Sequence, residues 1–247
     1  MTPAVGRWMV TEWLESGLPP GVLNLVQGGR DVGEAITAHP ELDGLFFTGS
    51  SAAGKALHKT LAPFPQKILA LEMGGNNPLI VHDISDLTAA AYLTVLSAFM
   101  TAGQRCTCAR RLILIDDAEG HEFLAALQDM IGRITYGFFN DEPQPFMGSL
   151  ISSTAGNRLL SAQAELIARG AKPIIPMQNQ RNCEALISPG LLDVTEVENL
   201  GDEELFGPLL NLRWVKNFDE AIEEANHTDY GLSAGLLSDN EKHYRQF

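Results

Sequence analysis

Three segments hold residue types that could carry covalent chemistry. Cys106 stands in Ala102-Gly103-Gln104-Arg105-Cys106-Thr107-Cys108, directly after a long helical pattern. A thiolate there would be a strong nucleophile: Gly103 permits a tight turn before it, and the adjacent Arg105 would favour the ionised thiol. A lone cysteine, however, is more often a small buried hydrophobe than a nucleophile. Glu72 follows the apolar run Ile68-Leu69-Ala70-Leu71 and precedes Met73-Gly74-Gly75. A carboxylate at a strand end sits where α/β sheets place ligands, and desolvation there would strengthen it as a base. A solvated strand-end glutamate is the plainer alternative.

The third segment, Phe46-Phe47-Thr48-Gly49-Ser50-Ser51-Ala52-Ala53-Gly54, reads as a strand ending in glycine and running into a helix. Such a junction aims backbone N–H groups and the positive end of the helix dipole at one spot, which suits a phosphate. Its Gly-x4-Gly spacing lacks the Lys-Ser/Thr of a Walker loop and differs from the common dinucleotide fingerprint, so an ordinary strand-to-helix turn stays open. Asp202-Glu203-Glu204-Leu205-Phe206-Gly207-Pro208 is an acidic loop around one aromatic, which by itself reads as a solvated turn. Arg110-Arg111 fits either a carboxylate clamp or a solvated strand entrance. Cys106-x-Cys108 lacks a second pair to complete four metal ligands, the six histidines are scattered, and His82, His121 and His227 read as core-edge or surface residues. No metal is expected.

The elements that must position these residues alternate between strand and helix. Thr2 can cap a helix that begins at Pro3 and stops at Gly17, with Val5, Trp8, Met9 and Trp13 on one face. A strand is predicted at 22–26, a capping box at Asp31 and Glu34 for a brief helix to His39, and a strand at 43–48. Helix 50–61 and strand 67–71 follow. Beyond Gly74-Gly75 come strand 79–82, helix 86–101, strand 111–115, helix 118–131, an irregular stretch 132–148, helix 153–169, strands 172–176 and 209–215, and helix 218–226. This βαβ spacing predicts a parallel sheet covered by helices. The chain opens on a helix without a preceding strand, and a helix begun at 239–247 has no stop signal, so both ends read as cut.

An apolar share of 45% with 19% charged residues is that of a globular protein. The helical run 87–100 is interrupted by Thr88, Tyr92, Thr94 and Ser97, so a membrane span is not expected. The net charge of −14 argues against a nucleic-acid surface. Three cysteines without a framework pattern, and no secretory leader, fit a reducing cytoplasm.

Together the segments resemble the aldehyde dehydrogenase superfamily. Leu71-Glu72-Met73-Gly74-Gly75-Asn76-Asn77-Pro78 is similar to its glutamate signature, Gly103-Gln104-Arg105-Cys106 to its cysteine signature, and Glu203-Glu204-Leu205-Phe206-Gly207-Pro208 to its cofactor-side loop. Their order and the separation of Glu72 from Cys106 also match, although many members carry Lys where Asn76 stands. The resemblance implies an α/β fold: residues 1–72 as the C-terminal part of a Rossmann-like NAD-binding domain, and 73–247 as most of the α/β catalytic domain. It further implies NAD as cofactor. Cys106 would attack an aldehyde and carry a thioester, and Glu72 would activate the hydrolytic water. Gly49, Ser50, Ser51, Ala52, Ala53 and Gly54 would hold the pyrophosphate, Glu204 the nicotinamide ribose and Phe206 the nicotinamide face. An acidic semialdehyde would place Arg105, Arg110 or Arg111 near its carboxylates. Complete members are about twice this length; their oxyanion-binding Asn lies upstream of the segments present, and a homo-oligomer is expected for the whole. A catalytically silent partial chain and a nicotinamide-free acyl hydrolase remain the rival expectations.

Overall fold

Residues 3–247 are described by a computed structural model. They form two units, one ending at Met73 and the other spanning Gly74–Phe247. In the first, α1 (Pro3–Glu15) ends as expected at Gly17, whose φ of +95° only glycine adopts freely. Gly17 N donates to Leu14 O and Leu18 N to Trp13 O, which satisfies the last carbonyls. The expected cap Thr2 lies outside the described residues. β1 (Gly44–Gly49), α3 (Ser51–Leu61) and β2 (Ile68–Met73) form the βαβ turn expected from the pattern, with β1 and β2 parallel and Thr48 opposite Glu72.

Two expectations for this unit fail. Residues 22–26 are not a strand: apolar alternation makes a segment fit for a sheet, but a strand exists only where a neighbour takes its backbone groups, and none does so among the described residues. The Asp31–Glu34 capping box does not form, because α2 (Arg30–Thr37) starts earlier, at cap Gly29, and Glu34 pairs with Arg30 at 2.6 Å.

The second unit is built on a six-stranded sheet of order β10-β3-β4-β9-β8-β5. The strands are β3 (Pro78–Val81), β4 (Arg111–Ile115), β5 (Lys172–Ile175), β8 (Gly190–Asp193), β9 (Leu209–Val215) and β10 (Gly235–Leu237). All neighbours run parallel except β5, which lies antiparallel to β8 at the edge. The sheet is therefore mixed, and Pro173 is accommodated on that edge strand. A short hairpin, β6 (Asn179–Gln180) and β7 (Cys183–Ile187), stands apart.

Period-2 alternation decides which helix each strand face meets. Leu79, Val81, Leu112 and Leu114 pack under α4 (Leu87–Phe99) and α5 (Ala118–Gly132), while Ile80, Ile113 and Ile115 meet α7 (Phe218–Asn226) on the opposite face. The sheet is thus covered on both sides, the arrangement that continuous apolar runs such as Leu112–Ile115 of β4, buried throughout, require. The chain leaves β4 toward one face and β9 toward the other. α6 (Ser153–Ala168) and the terminal α8 (Glu241–Gln246) complete the unit.

α6 approaches β7 at Gly156, where an added Cβ would lie 1.9 Å from the Glu184 carbonyl oxygen. Gly156→Ala is expected to destabilise this unit by about 1–3 kcal/mol in urea unfolding, because backbone must move. Gly132→Ala, at a helix end with open space around it, is expected to be neutral or slightly stabilising. Equal effects would show that the close approach is not rigid.

Candidate active site

α4 is almost wholly apolar and is pinned by Ala90, Ala91, Val95, Ala98 and Phe99 in the core, so its end is fixed in space. There the chain does not relax into an ordinary loop. Thr101, Ala102 and Gly103 have φ of 55°, 54° and 66°, three consecutive left-handed residues. Gly103 adopts this freely, whereas each of the others stores roughly 1–2 kcal/mol. Cys106 follows, half-buried and with a free thiol, at the second position of a turn closed by Cys108 N donating to Arg105 O at 3.1 Å. Cys108 is buried, with Sγ 4.0 Å from Met100 O, and Arg105 turns its Nε onto Thr101 Oγ1 at 2.8 Å.

Two buried side chains hold the turn in place. Asn77 Nδ2 donates to Cys106 O at 2.7 Å and to Cys108 O at 2.9 Å. Arg110, 2% exposed, donates from one terminal nitrogen to Gly103 O (2.6 Å) and Gly207 O (3.1 Å), and from the other to Arg105 O (3.0 Å). Burial pushes its guanidinium pKa below the ordinary value, while Cys108, Glu204 and Cys106 oppose that shift. Its face lies 5.1 Å from the centre of the Phe206 ring, whose side chain is 42% exposed. Arg111 is equally committed: it donates to Asn76 O, Glu224 O and Ala225 O, at 2.7–2.8 Å. Arg110 and Arg111 therefore form neither of the alternatives the sequence left open, a carboxylate clamp or a solvated strand entrance: both are buried and their donors are spent on backbone carbonyls. Arg105 alone of the three is exposed.

The acidic loop is not simply solvated. Glu204 Oε1 accepts from Gly75 N at 3.2 Å, and a Cβ on Gly74 would lie 1.7 Å from Glu204 Oε2, so the diglycine leaves room for this carboxylate. Asp202 accepts from Asn76 Nδ2 (2.8 Å), Thr228 Oγ1 (2.9 Å) and Asp229 N (2.7 Å). Burial would raise its pKa, but those bonds and the Arg111 charge hold it below the usual carboxylate range. A polar cleft of about 900 Å³ borders Asn76 and Asp202 and does not include Cys106.

In the first unit, Ser50 caps α3 by accepting from Ala53 N at 3.3 Å, leaving the Ser51 and Ala52 amides without acceptors inside the helix. Gly49 ends β1. Gly54 is buried where a Cβ would lie 2.4 Å from Met73 Sδ, so its lack of a side chain lets helix and strand touch. Glu72 sits at the carboxyl end of the same parallel pair, but its side chain is exposed, so the expected desolvation is not present. His82 and His243, 161 residues apart, come together; with no sequence neighbourhood to link them, only the fold reveals the pair.

Arg110→Lys is expected to destabilise the second unit by on the order of 1.5–3 kcal/mol, since one ammonium cannot reproduce a planar fork to three carbonyls. It should also change the rate of Cys106 alkylation by iodoacetamide relative to Cys183; an unchanged ratio would show that the guanidinium does not hold the thiol loop. Asp202 has a lowered folded pKa, so its stabilisation is complete above the ordinary carboxylate pKa near 4 and is lost as pH falls through the folded value. The stability difference between wild type and Asp202→Asn is accordingly expected to shrink below about pH 4; a difference that grows on acidification would refute this.

The sequence profile described as the aldehyde dehydrogenase family matches residues 1–247. The chain is 53% identical over its whole length to N-succinylglutamate 5-semialdehyde dehydrogenase of Ectopseudomonas mendocina (strain ymp), of which it covers 51%. An NAD-dependent aldehyde dehydrogenase from Sinorhizobium meliloti superposes with a TM-score of 0.92 at 29% identity, covering 99% of this chain and 49% of that one. The 1-pyrroline-5-carboxylate dehydrogenase from Thermus with bound NAD gives 0.88 at 30%, covering 99% and 48%. The chain thus spans about half the length of the relatives it matches. With the whole of its length matched, and with the α/β architecture in agreement, the chain belongs to the aldehyde dehydrogenase family.

Proposed function

We propose that the chain carries the reactive core of an NAD-dependent aldehyde dehydrogenase. Cys106 Sγ attacks the aldehyde carbon, forming a C–S bond and an alkoxide that becomes a thiohemiacetal. NAD, when bound, supplies the hydride acceptor. Loss of that hydride leaves a thioester on Cys106; Glu72 takes a proton from water, which attacks the acyl carbon and releases the carboxylate and the thiol. The observation that carries this reading is the buried guanidinium of Arg110, which grips the backbone of both the Cys106 loop and the Phe206 loop.

The residues present suit a dinucleotide. The unengaged Ser51 and Ala52 amides, together with Gly49, Ser50, Ala53 and Gly54, form the helix terminus that takes the pyrophosphate. Glu204, oriented by Gly75 N, takes the nicotinamide ribose hydroxyls. Phe206 offers a ring face to the nicotinamide, its orientation set by Arg110. Residues to Glu72 form the cofactor side and residues from Met73 onward the thiol side. The substrate is N-succinylglutamate 5-semialdehyde, oxidised to N-succinylglutamate in arginine degradation, a reading supported by the 53% identity. Arg105 is its remaining carboxylate contact. The complete enzyme is a homo-oligomer of the cytoplasm.

A second reading is favoured by the half-length match: the 247 residues alone are catalytically silent. Aldehyde-dependent NADH absorbance separates the two. Cys106→Ala is expected to lower turnover on the order of a thousandfold or more. Glu72→Gln should slow it by about 10²–10⁴-fold and accumulate an acyl mass on Cys106. Undiminished turnover in Cys106→Ala would remove the nucleophile assignment. Absence of both NAD binding and turnover in the wild-type chain would favour the second reading, and micromolar NAD affinity would count against it.

A further inference from the structure

Cys106 and the Phe206 loop stand at the amino ends of β4 and β9, but open α/β sheets bind ligands beyond the carboxyl ends of parallel strands, where successive connections leave toward opposite faces. In the second unit that point lies between β4, which leads into α5, and β9, which leads into α7. A cleft of about 440 Å³ opens there, lined by Ile115 and Asp117 after β4, Lys216 and Phe218 after β9, and His82 and His243. It is separate from every residue assigned above to aldehyde chemistry.

Two residues of the cleft wall, His82 and His243, meet a third group of metal-ligating type, Asp83. His82 and Asp83 directly follow β3, and His243 arrives on α8. Their ligand atoms all lie within 4.8 Å of one another. His82 Nε2 is 3.6 Å from Asp83 Oδ1, and His243 Nδ1 is 3.4 Å from Asp83 Oδ2. A tetrahedral ion with ligands at about 2.0–2.2 Å needs ligand–ligand edges of about 3.3–3.6 Å. The imidazoles are pre-oriented: the His243 ring stacks on Phe218 at 3.9 Å, and the His82 ring stands 5.2 Å from the His243 ring. His243 Nδ1 is closed off from solvent and makes no hydrogen bond. Such a buried nitrogen is costly and calls for a partner. Asp83 is held in place by Asn240 Nδ2 on Oδ2 at 2.7 Å, at a φ of 53° that Asp tolerates.

The geometry points to a binding site for one divalent transition ion of the zinc class, ligated by His82 Nε2, Asp83 and His243 Nδ1, with its remaining position open to the cleft. Two imidazoles and one carboxylate form a borderline donor set that selects zinc-like ions over magnesium or calcium. The ion clasps α8 to the carboxyl edge of β3, so binding stabilises the folded chain by linkage.

The test is titration of the 247-residue chain with zinc chloride alone, followed by calorimetry and thermal unfolding, and with cobalt(II) followed by its visible spectrum. Expected are one ion per chain, a raised melting temperature, and a cobalt spectrum of nitrogen–oxygen ligation without a sulfur charge-transfer band. His82→Gln and His243→Gln should each weaken zinc at least about tenfold. Asp83→Asn preserves size and left-handed tolerance, so it tests the carboxylate should either His variant fail to fold by circular dichroism. Cys106→Ser should bind zinc as wild type does. The site is overturned if the folded wild type binds no zinc at micromolar concentration, if folded variants bind unchanged, or if Cys106→Ser abolishes binding.

Discussion

A buried cation whose donors meet backbone carbonyls rather than a carboxylate is the constraint on which the thiol side of this molecule depends. Arg110 is removed from water at the threshold of β4, and a guanidinium there is tolerable only if its donors meet acceptors. It finds three carbonyls, on Gly103, Arg105 and Gly207, and the face of Phe206. Those acceptors belong to two loops, which also meet directly at Gly103, where an added Cβ would run into the Gly207 backbone. The desolvation cost of one charge is thereby turned into a positional requirement: if either loop drifts, a buried charge loses a partner. The Nε of Arg110 remains unpartnered, which marks how little slack the arrangement has.

The same constraint explains why the left-handed stretch at Thr101 to Gly103 persists. Two non-glycine residues there hold an unfavourable conformation that a free chain would release within a turn. The buried end of α4 fixes one side, and β4 fixes the other through Asn77 O, which accepts from Arg110 N at 2.9 Å. Between those anchors the chain must reverse tightly enough to present the Gly103 carbonyl to Arg110. Strain near a thiol is therefore maintained by packing at a distance, as expected of residues held in sparsely populated backbone regions. Asn77 completes the restraint by taking the carbonyls on either side of Thr107.

The sequence made the repeating parts of this fold readable. β4, β9, α7 and most of α4, α5 and α6 follow from apolar periodicity, because strands buried on both faces and helices with a core stripe leave strong patterns. β8 and β10 were not legible: Gly-Leu-Leu-Asp and Gly-Leu-Leu are too short for a period to register, and their pairing is supplied by neighbours. Residues 22–26 failed in the opposite sense, having the pattern without a partner. Around the proposed site, the motifs pointed to Cys106, Glu72 and the Glu204–Phe206 loop by order and spacing. They could not reveal that Arg110 and Arg111 face inward, since adjacent arginines at a strand entrance look alike whether they serve ligand or backbone. Thr101 and Ala102 gave no warning of positive φ, because neither type favours it.

The two edges of the central sheet differ in how their polar groups are arranged, and this difference separates chemistry from architecture. At the amino edge, Arg110, Arg111, Asn77 and Asp202 are each held by several hydrogen bonds, although Arg110 Nε has no partner, and the half-buried thiol and the Phe206 face are left accessible. A site of the kind proposed would be rigid and would expose only what must react. At the carboxyl edge His82, Asp83 and His243 converge, and His243 Nδ1 is buried without a hydrogen bond. Polar groups brought together by elements 161 residues apart are costly to leave unsatisfied. The amino edge meets most of that cost with backbone carbonyls; at the carboxyl edge Asp83 lies within ion-pair distance of both imidazoles, and the proposed ion would complete the arrangement.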